Sequence, residues 1–255
     1  MHDTRDLMSC SLLAARRITP SALLAWLRAK PAVTNLSLRD TDWTDDADAE
    51  QLGHVVAESA LLECLTLRHC PLPIQLFRGG AAPTAVSNST GATTRKAQHK
   101  MLSGPMDARK VDLVHKDLGW MDAAVLAPLL LGKHLHIVDL NLKNNAINAK
   151  GAAAIAHVLT SNNSLTVLNL SENAIGAQGV ASLCSALQEN KKLEVLELGA
   201  TNLVDQSRAL SALQTLTANK GLRILGLQQN DFDEESQAEL KARLVQREGQ
   251  MIFHF

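Results

Sequence analysis

Tyrosine is absent from this sequence, and with four Phe and three Trp the aromatics make up 3% of its 255 residues. Any sizeable core must therefore be aliphatic. With 46% hydrophobic residues, there is enough Leu, Ala, Val and Ile to build one. An excess of charge of either sign is also missing. Lys and Arg number 25 against 26 Asp and Glu, a formal net charge of −1. That balance gives no global pull toward nucleic acid or an acidic membrane. The four cysteines, Cys10, Cys64, Cys70 and Cys184, are too few and too scattered for a disulfide framework or a zinc site. Read as reduced thiols, they point to an intracellular, cytoplasmic compartment. No apolar run approaches the ~20 residues that span a bilayer. The N-terminal apolar stretch around Leu12 and Leu13 is short and polar-flanked, unlike a secretory signal. Asp3 and Asp6 argue against a transit peptide.

Motifs that carry chemistry are missing as well. There is no GxxxxGK[ST] phosphate loop, no HExxH, no CxxC and no GxSxG. His115, His134 and His136 are close in sequence but fall in two different structural units, so no metal site is expected of them. No catalytic residue and no cofactor is expected.

An internal repeat dominates what is there. Leu165 opens LTVLNLSENAI, Leu193 opens LEVLELGATNL, Leu222 opens LRILGLQQNDF, and Ile137 opens IVDLNLKNNAI. All four are apolar at positions 1, 4, 6 and 11, and position 9 is small and polar. Upstream, Val33 opens VTNLSLRDTDW, Leu62 opens LECLTLRHCPL and Ala108 opens the degraded copy ARKVDLVHKDL. Successive starts are 29, 46, 29, 28, 28 and 29 residues apart. Positions 4 and 6 alternate with polar neighbours, which predicts a short strand with one buried face. A small polar side chain at position 9 can satisfy backbone groups where the strand turns away. Helical spacing follows in each unit. Gly179, Leu183 and Leu187 form one stripe, and Gly151, Ile155 and Leu159 form another. One strand–helix unit cannot bury its own apolar face, so neighbours must stack.

The pattern LxxLxLxxNxL with a long helical second half resembles the ribonuclease-inhibitor class of leucine-rich repeats. The resemblance covers residues 33 to about 245. It implies an α/β solenoid of about seven repeats, a horseshoe with parallel strands on the concave face and helices on the convex face. It is specific to the fold and to no single function.

The chain divides on this reading into an N-terminal helical cap over 1–32, repeats over 33–250, and an apolar tail or edge strand over 251–255. Thr19 and Pro20 suit the start of the second cap helix. At the other end Ala238, Leu240 and Leu244 continue the last helix. The 46-residue spacing marks an insertion at about 78–107, rich in Gly, Ser, Thr, Ala and Pro, in a second unit whose helix is lost or shortened.

The template also names the side chains on the concave face. Arg39 and Arg68 put positive charge on the first units, and Asn141 and Lys143 follow in the fourth. Val167, Val195 and Ile224 line up at position 3 beside the small Gly199, Ala200 and Gly226, rimmed by Asn169, Glu197 and Gln228. An apolar strip with a polar rim suits a protein partner. The expected function is therefore an intracellular protein-interaction module or scaffold subunit, not an enzyme, in a cytoskeletal or ciliary assembly, with neither nucleic acid nor membrane as partner. The alternative is a GTPase activator. The Ran GTPase-activating proteins resemble this repeat class, and Arg39-Asp40 and Arg68-His69 occupy strand ends from which an arginine can be supplied in trans.

Limited trypsin digestion is expected to cut first at Arg95, Lys96 or Lys100 in the insertion. A first cut within 137–230 contradicts both the insertion and the repeat register.

Overall fold

Strands of this template should bury position 4 and leave positions 3 and 5 part-exposed. The computed structural model has that pattern. In Asp139–Asn141, Val167–Asn169 and Val195–Glu197 the middle leucine is buried and both flanking residues are half-buried. The structure describes residues 25, 27, 35–38, 46–59, 64–67, 70–73, 109–131, 137–245 and 251–255. The cap expected over 1–32 lies outside these residues except at 25 and 27, and the insertion expected over 78–107 lies outside them altogether. Two compact units are formed, Met1–Ala108 with Ala124–Leu135, and Arg109–Ala123 with His136–Phe255.

In the first unit, β1 (Asn35–Leu38) pairs in parallel with β2 (Cys64–Leu67), one repeat later. Helix α1 (Asp46–Glu58) lies between them in sequence and buries Ala49, Leu52 and Val56 on one face. Its Gly53 packs so closely that a Cβ there would sit 2.6 Å from the Val125 carbonyl oxygen and 2.8 Å from Pro128 Cγ. After β2 the next described element is a strand, not a helix. Residues Cys70–Pro73 form β3, antiparallel to β2, with Thr66 opposite Pro71 and Cys64 opposite Pro73. Position 9 of this unit is Cys70, which starts that strand instead of plugging a turn. Proline is tolerated in β3 because the strand lies at the sheet edge.

The second unit is a six-stranded, all-parallel sheet in sequence order: β4 (Lys110–Asp112), β5 (Asp139–Asn141), β6 (Val167–Asn169), β7 (Val195–Glu197), β8 (Ile224–Gly226) and β9 (Ile252–His254). Equivalent template positions pair directly, with Leu140, Leu168, Leu196 and Leu225 in one row. Helix α2 (Trp120–Leu129), which belongs to the first unit from Ala124 on, precedes β5 in sequence, α3 (Ala149–Leu159) precedes β6, α4 (Gly176–Glu189) precedes β7, α5 (Gln206–Gln214) precedes β8 and α6 (Glu234–Val245) precedes β9. The stripes Gly151, Ile155, Leu159 and Gly179, Leu183, Leu187 are buried. A Cβ on Gly179 would come within 2.6 Å of Ile175 Cγ2 and 3.0 Å of Ala152 Cβ, so glycine lets α4 approach the preceding helix. On α6, Leu240 and Leu244 are buried, but Ala238 is exposed and takes no part in that stripe.

Asparagines hold the stack at both ends of the strands. Asn173 Nδ2 donates to the carbonyls of Leu142, Leu170 and Ser171, and its Oδ1 accepts from Ile147 N at 3.1 Å. Asn145 and Asn230 repeat the pattern, each reaching the position-6 carbonyl of the preceding repeat, Leu113 and Leu198. At the helix ends Asn190 Nδ2 donates to Leu159 O and Asn162 O, while its Oδ1 accepts from Lys192 N and Leu193 N. Asn219 does the same one repeat later, toward Leu187 O and Asn190 O. Between strand and position 9 the chain passes through the left-handed region at position 8 in five repeats. His115, Asn144, Glu172, Ala200 and Gln229 have φ of 56, 54, 57, 52 and 58°. None of these is glycine, although that backbone region favours it.

Leu168→Ala is expected to cost about 2–5 kcal/mol, because the side chain is fully buried between two neighbouring strands. Asn173→Ala is expected to cost about 2–4 kcal/mol, since it strands buried carbonyls and the Ile147 amide. Glu172→Ala removes a part-exposed ion pair to Lys143 and should cost less than about 1 kcal/mol. Denaturant midpoints check all three. Equal midpoints for Leu168→Ala and Glu172→Ala contradict the register.

Candidate functional site

Parallel pairing in exact template register turns columns of the sequence into rows on the exposed side of sheet β4–β9. Position 3 gives Lys110, Asp139, Val167, Val195, Ile224 and Ile252, each opposite the next. Val167, Val195 and Ile224 are half-buried, so part of each apolar side chain meets solvent. Ile252, on the edge strand, is 55% exposed. The three β-branched residues thus form the continuous strip expected of them.

Position 5 holds Asp112, Asn141, Asn169, Glu197, Gly226 and His254. Three of these side chains are partly engaged with their own strand. Asp112 accepts from Val114 N, Asn141 from Lys143 N and Asn169 from Ser171 N, at 3.2, 3.2 and 3.0 Å. Asn141 and Asn169 therefore brace the strand ends and still show one face to solvent. Position 7 holds Lys143, Ser171, Gly199 and Gln228, and the Ser171 Oγ accepts from Gly199 N. Of the candidate residues, Asn141, Lys143, Val167, Asn169, Val195, Glu197, Ile224 and Gln228 share this face. Arg39 and Arg68, with Asp40 and His69, lie outside the described residues.

Ion pairs between successive repeats were not read from the sequence. Lys110 pairs with Asp139 at 3.4 Å, Lys143 with Glu172 at 2.9 Å, and Arg223 with Glu194 at 3.7 Å. A signal existed for the first and the last, because Lys110 and Asp139 share template position 3, and Glu194 and Arg223 share position 2, each with opposite charge. More than a third of each side chain in the Lys143 and Arg223 pairs is exposed to solvent, so each pair contributes little to stability.

Nothing in the described residues assembles a reactive centre. Cys184 is a free thiol on the buried side of α4, and burial pushes it up to about 12, far from a nucleophile's range. Among the described residues, no group of three or more His, Cys, Asp or Glu could hold a metal ion. No described helix is long and apolar enough to cross a membrane. An open groove does run along the N-terminal ends of α3, α4 and α5, lined by Lys150, Gln178, Asp205 and Arg208. Lys150 sits over the Trp120 ring, and Asp205 caps α5. Val204 beside it is 85% exposed.

The Leucine Rich repeat family matches residues 133–156 and 161–184, which are the fourth and fifth template copies. No curated protein matches the chain. A solved structure described as Leiomodin-1 Actin-Binding Site 2 (ABS2) is similar, with 19% sequence identity and a TM-score of 0.46. The match covers 62% of this chain and 92% of that one. The matched repeats, the parallel ladder and the alternating helices define the class: an α/β leucine-rich-repeat solenoid.

Proposed function

We propose that this chain is a non-enzymatic protein-interaction module of the ribonuclease-inhibitor-like type, a scaffold subunit that holds a protein partner on the exposed face of sheet β4–β9. The observation that carries the reading is the strip Val167, Val195, Ile224, aligned by strand register and left half-open to solvent. Apolar area in a continuous row, rimmed by Asn169, Glu197 and Gln228, gains free energy when another surface covers it. The 28- to 29-residue period and the true helices of α3 and α4 support the ribonuclease-inhibitor-like subclass. Arg39 and Arg68 belong to the proposal by their template positions, as charges that speed encounter more than they hold the complex. A cytoplasmic setting within a larger cytoskeletal or ciliary assembly completes it. The buried free thiol of Cys184 supports a reducing compartment.

Val195→Asn tests this. The substitution is neutral and close in volume, and it puts an amide without a partner under the contact. Affinity for a partner purified with the chain and identified by mass spectrometry is expected to fall about ten- to hundredfold, with circular dichroism unchanged. Ser185→Asn, on the exposed side of α4, is expected to leave affinity alone. Retention by Val195→Asn with loss by Ser185→Asn would move the binding surface to the helices. Accelerated phosphate release from any small GTPase would overturn the non-enzymatic reading.

A further inference from the structure

Among the described residues, most charges on the exposed face of sheet β4–β9 fall in ion pairs, with Asp112 and Glu197 outside them. Lys110 with Asp139, Lys143 with Glu172 and Arg223 with Glu194 are matched. Asp112, at the β4 edge, accepts from Val114 N. The Glu197 side chain makes no ion pair or hydrogen bond with any described residue, and His254, two strands along the same row, makes none with it. The Glu197 side chain is half-buried, and its carboxylate lies directly over Gly226, where a Cβ would overlap Oε2. The same Cβ would be 3.0 Å from Gln228 Oε1, and a Cβ on Gly199 would be 3.2 Å from that oxygen. Gly199 and Gly226 are themselves buried. The Glu197 carboxylate takes the space that a side chain at Gly226 would fill, and no described residue donates to it or to Gln228 Oε1. Val195 and Ile224, in the neighbouring row, flank the carboxylate with apolar surface.

A partner that covers the Val195 strip takes the Glu197 carboxylate out of water. An uncompensated carboxylate is costly in that position, and a cation removes the cost. We propose that the protein partner presents a lysine or arginine side chain to this carboxylate. Its charged head donates to the Glu197 carboxylate and to Gln228 Oε1, and its aliphatic stem lies along Val195 and Ile224. The assignment rests on the sheet-face reading and adds the chemistry of the partner to it.

The test uses the full chain as bait for a displayed random-peptide library, followed by binding measurements on synthetic copies of the selected peptides. Selected sequences are expected to carry Arg or Lys beside aliphatic residues. Glu197→Gln should weaken them about tenfold, and Gly226→Ala, which displaces the carboxylate, should do the same. Replacing the peptide's basic residue with norleucine should cost as much, and should cost nothing further on Glu197→Gln. Glu189→Gln on the exposed side of α4 should have no effect. Peptides that depend on Val195 but lack a basic residue, or ignore Glu197→Gln, overturn the cation assignment and leave the sheet-face reading standing. Peptides indifferent to both Val195→Asn and Glu197→Gln, or no selection at all, overturn both.

Discussion

Asparagine side chains that cross from one repeat to the backbone of the one before fix the rest of the second unit. Hydrophobic stacking alone would let strands slide, since Leu140, Leu168, Leu196 and Leu225 are interchangeable in size and shape. A hydrogen bond from Asn173 to Leu142 O at one end, and from Asn190 to Leu159 O at the other, specifies a single register. A slip of one residue would leave those buried amides and carbonyls unpaired and turn every side chain to the other face. The exposed strip Val167, Val195, Ile224 therefore exists as a strip because the clamps on either side hold the columns in line.

The clamp is weakest where the candidate site is deepest. In the sixth repeat position 9 is Thr201, whose hydroxyl donates to Leu198 O in its own repeat and reaches no carbonyl of the repeat before. Ile175 N, which would bond to an asparagine there as Ile147 N bonds to Asn173, turns to Asn173 O instead. The same turn contains Gly199, whose missing side chain leaves room for Gln228 Oε1. Asn230 of the following repeat restores the tie by accepting from Thr201 N at 2.7 Å. Small side chains that open the face thus cost one cross-repeat bond, and the next repeat makes it good.

Much of this was legible in the sequence, because the period is fixed by physics that residue types reveal. Leucines at 4 and 6 name the buried side of a strand, and Asn145, Asn173 and Asn230 at position 9 name the turn. The face residues from Asn141 to Gln228 follow from that register by counting. The left-handed backbone at position 8 was not legible. His115, Asn144, Glu172, Ala200 and Gln229 share no side-chain property, and the turn imposes the geometry on all of them. Nor was β3, where Cys70 matched the template but the chain runs back antiparallel to β2. The solitary charge on Glu197 could not be read either. It becomes visible only when the other face charges find partners across repeats.

Amide hydrogen exchange on Asn190→Ala tests most directly whether these clamps hold the array. Asn190 bonds the Leu193 amide on its own repeat and two carbonyls of the repeat before. If cross-repeat asparagines set the register, protection should fall together at Leu193 and along β6 and β7, at the Val167 and Val195 amides, because the strands lose their common anchor. Loss confined to Leu193 and Lys192, with β6 and β7 as protected as in the unaltered chain, would mean that leucine packing holds the register and the asparagines only follow it.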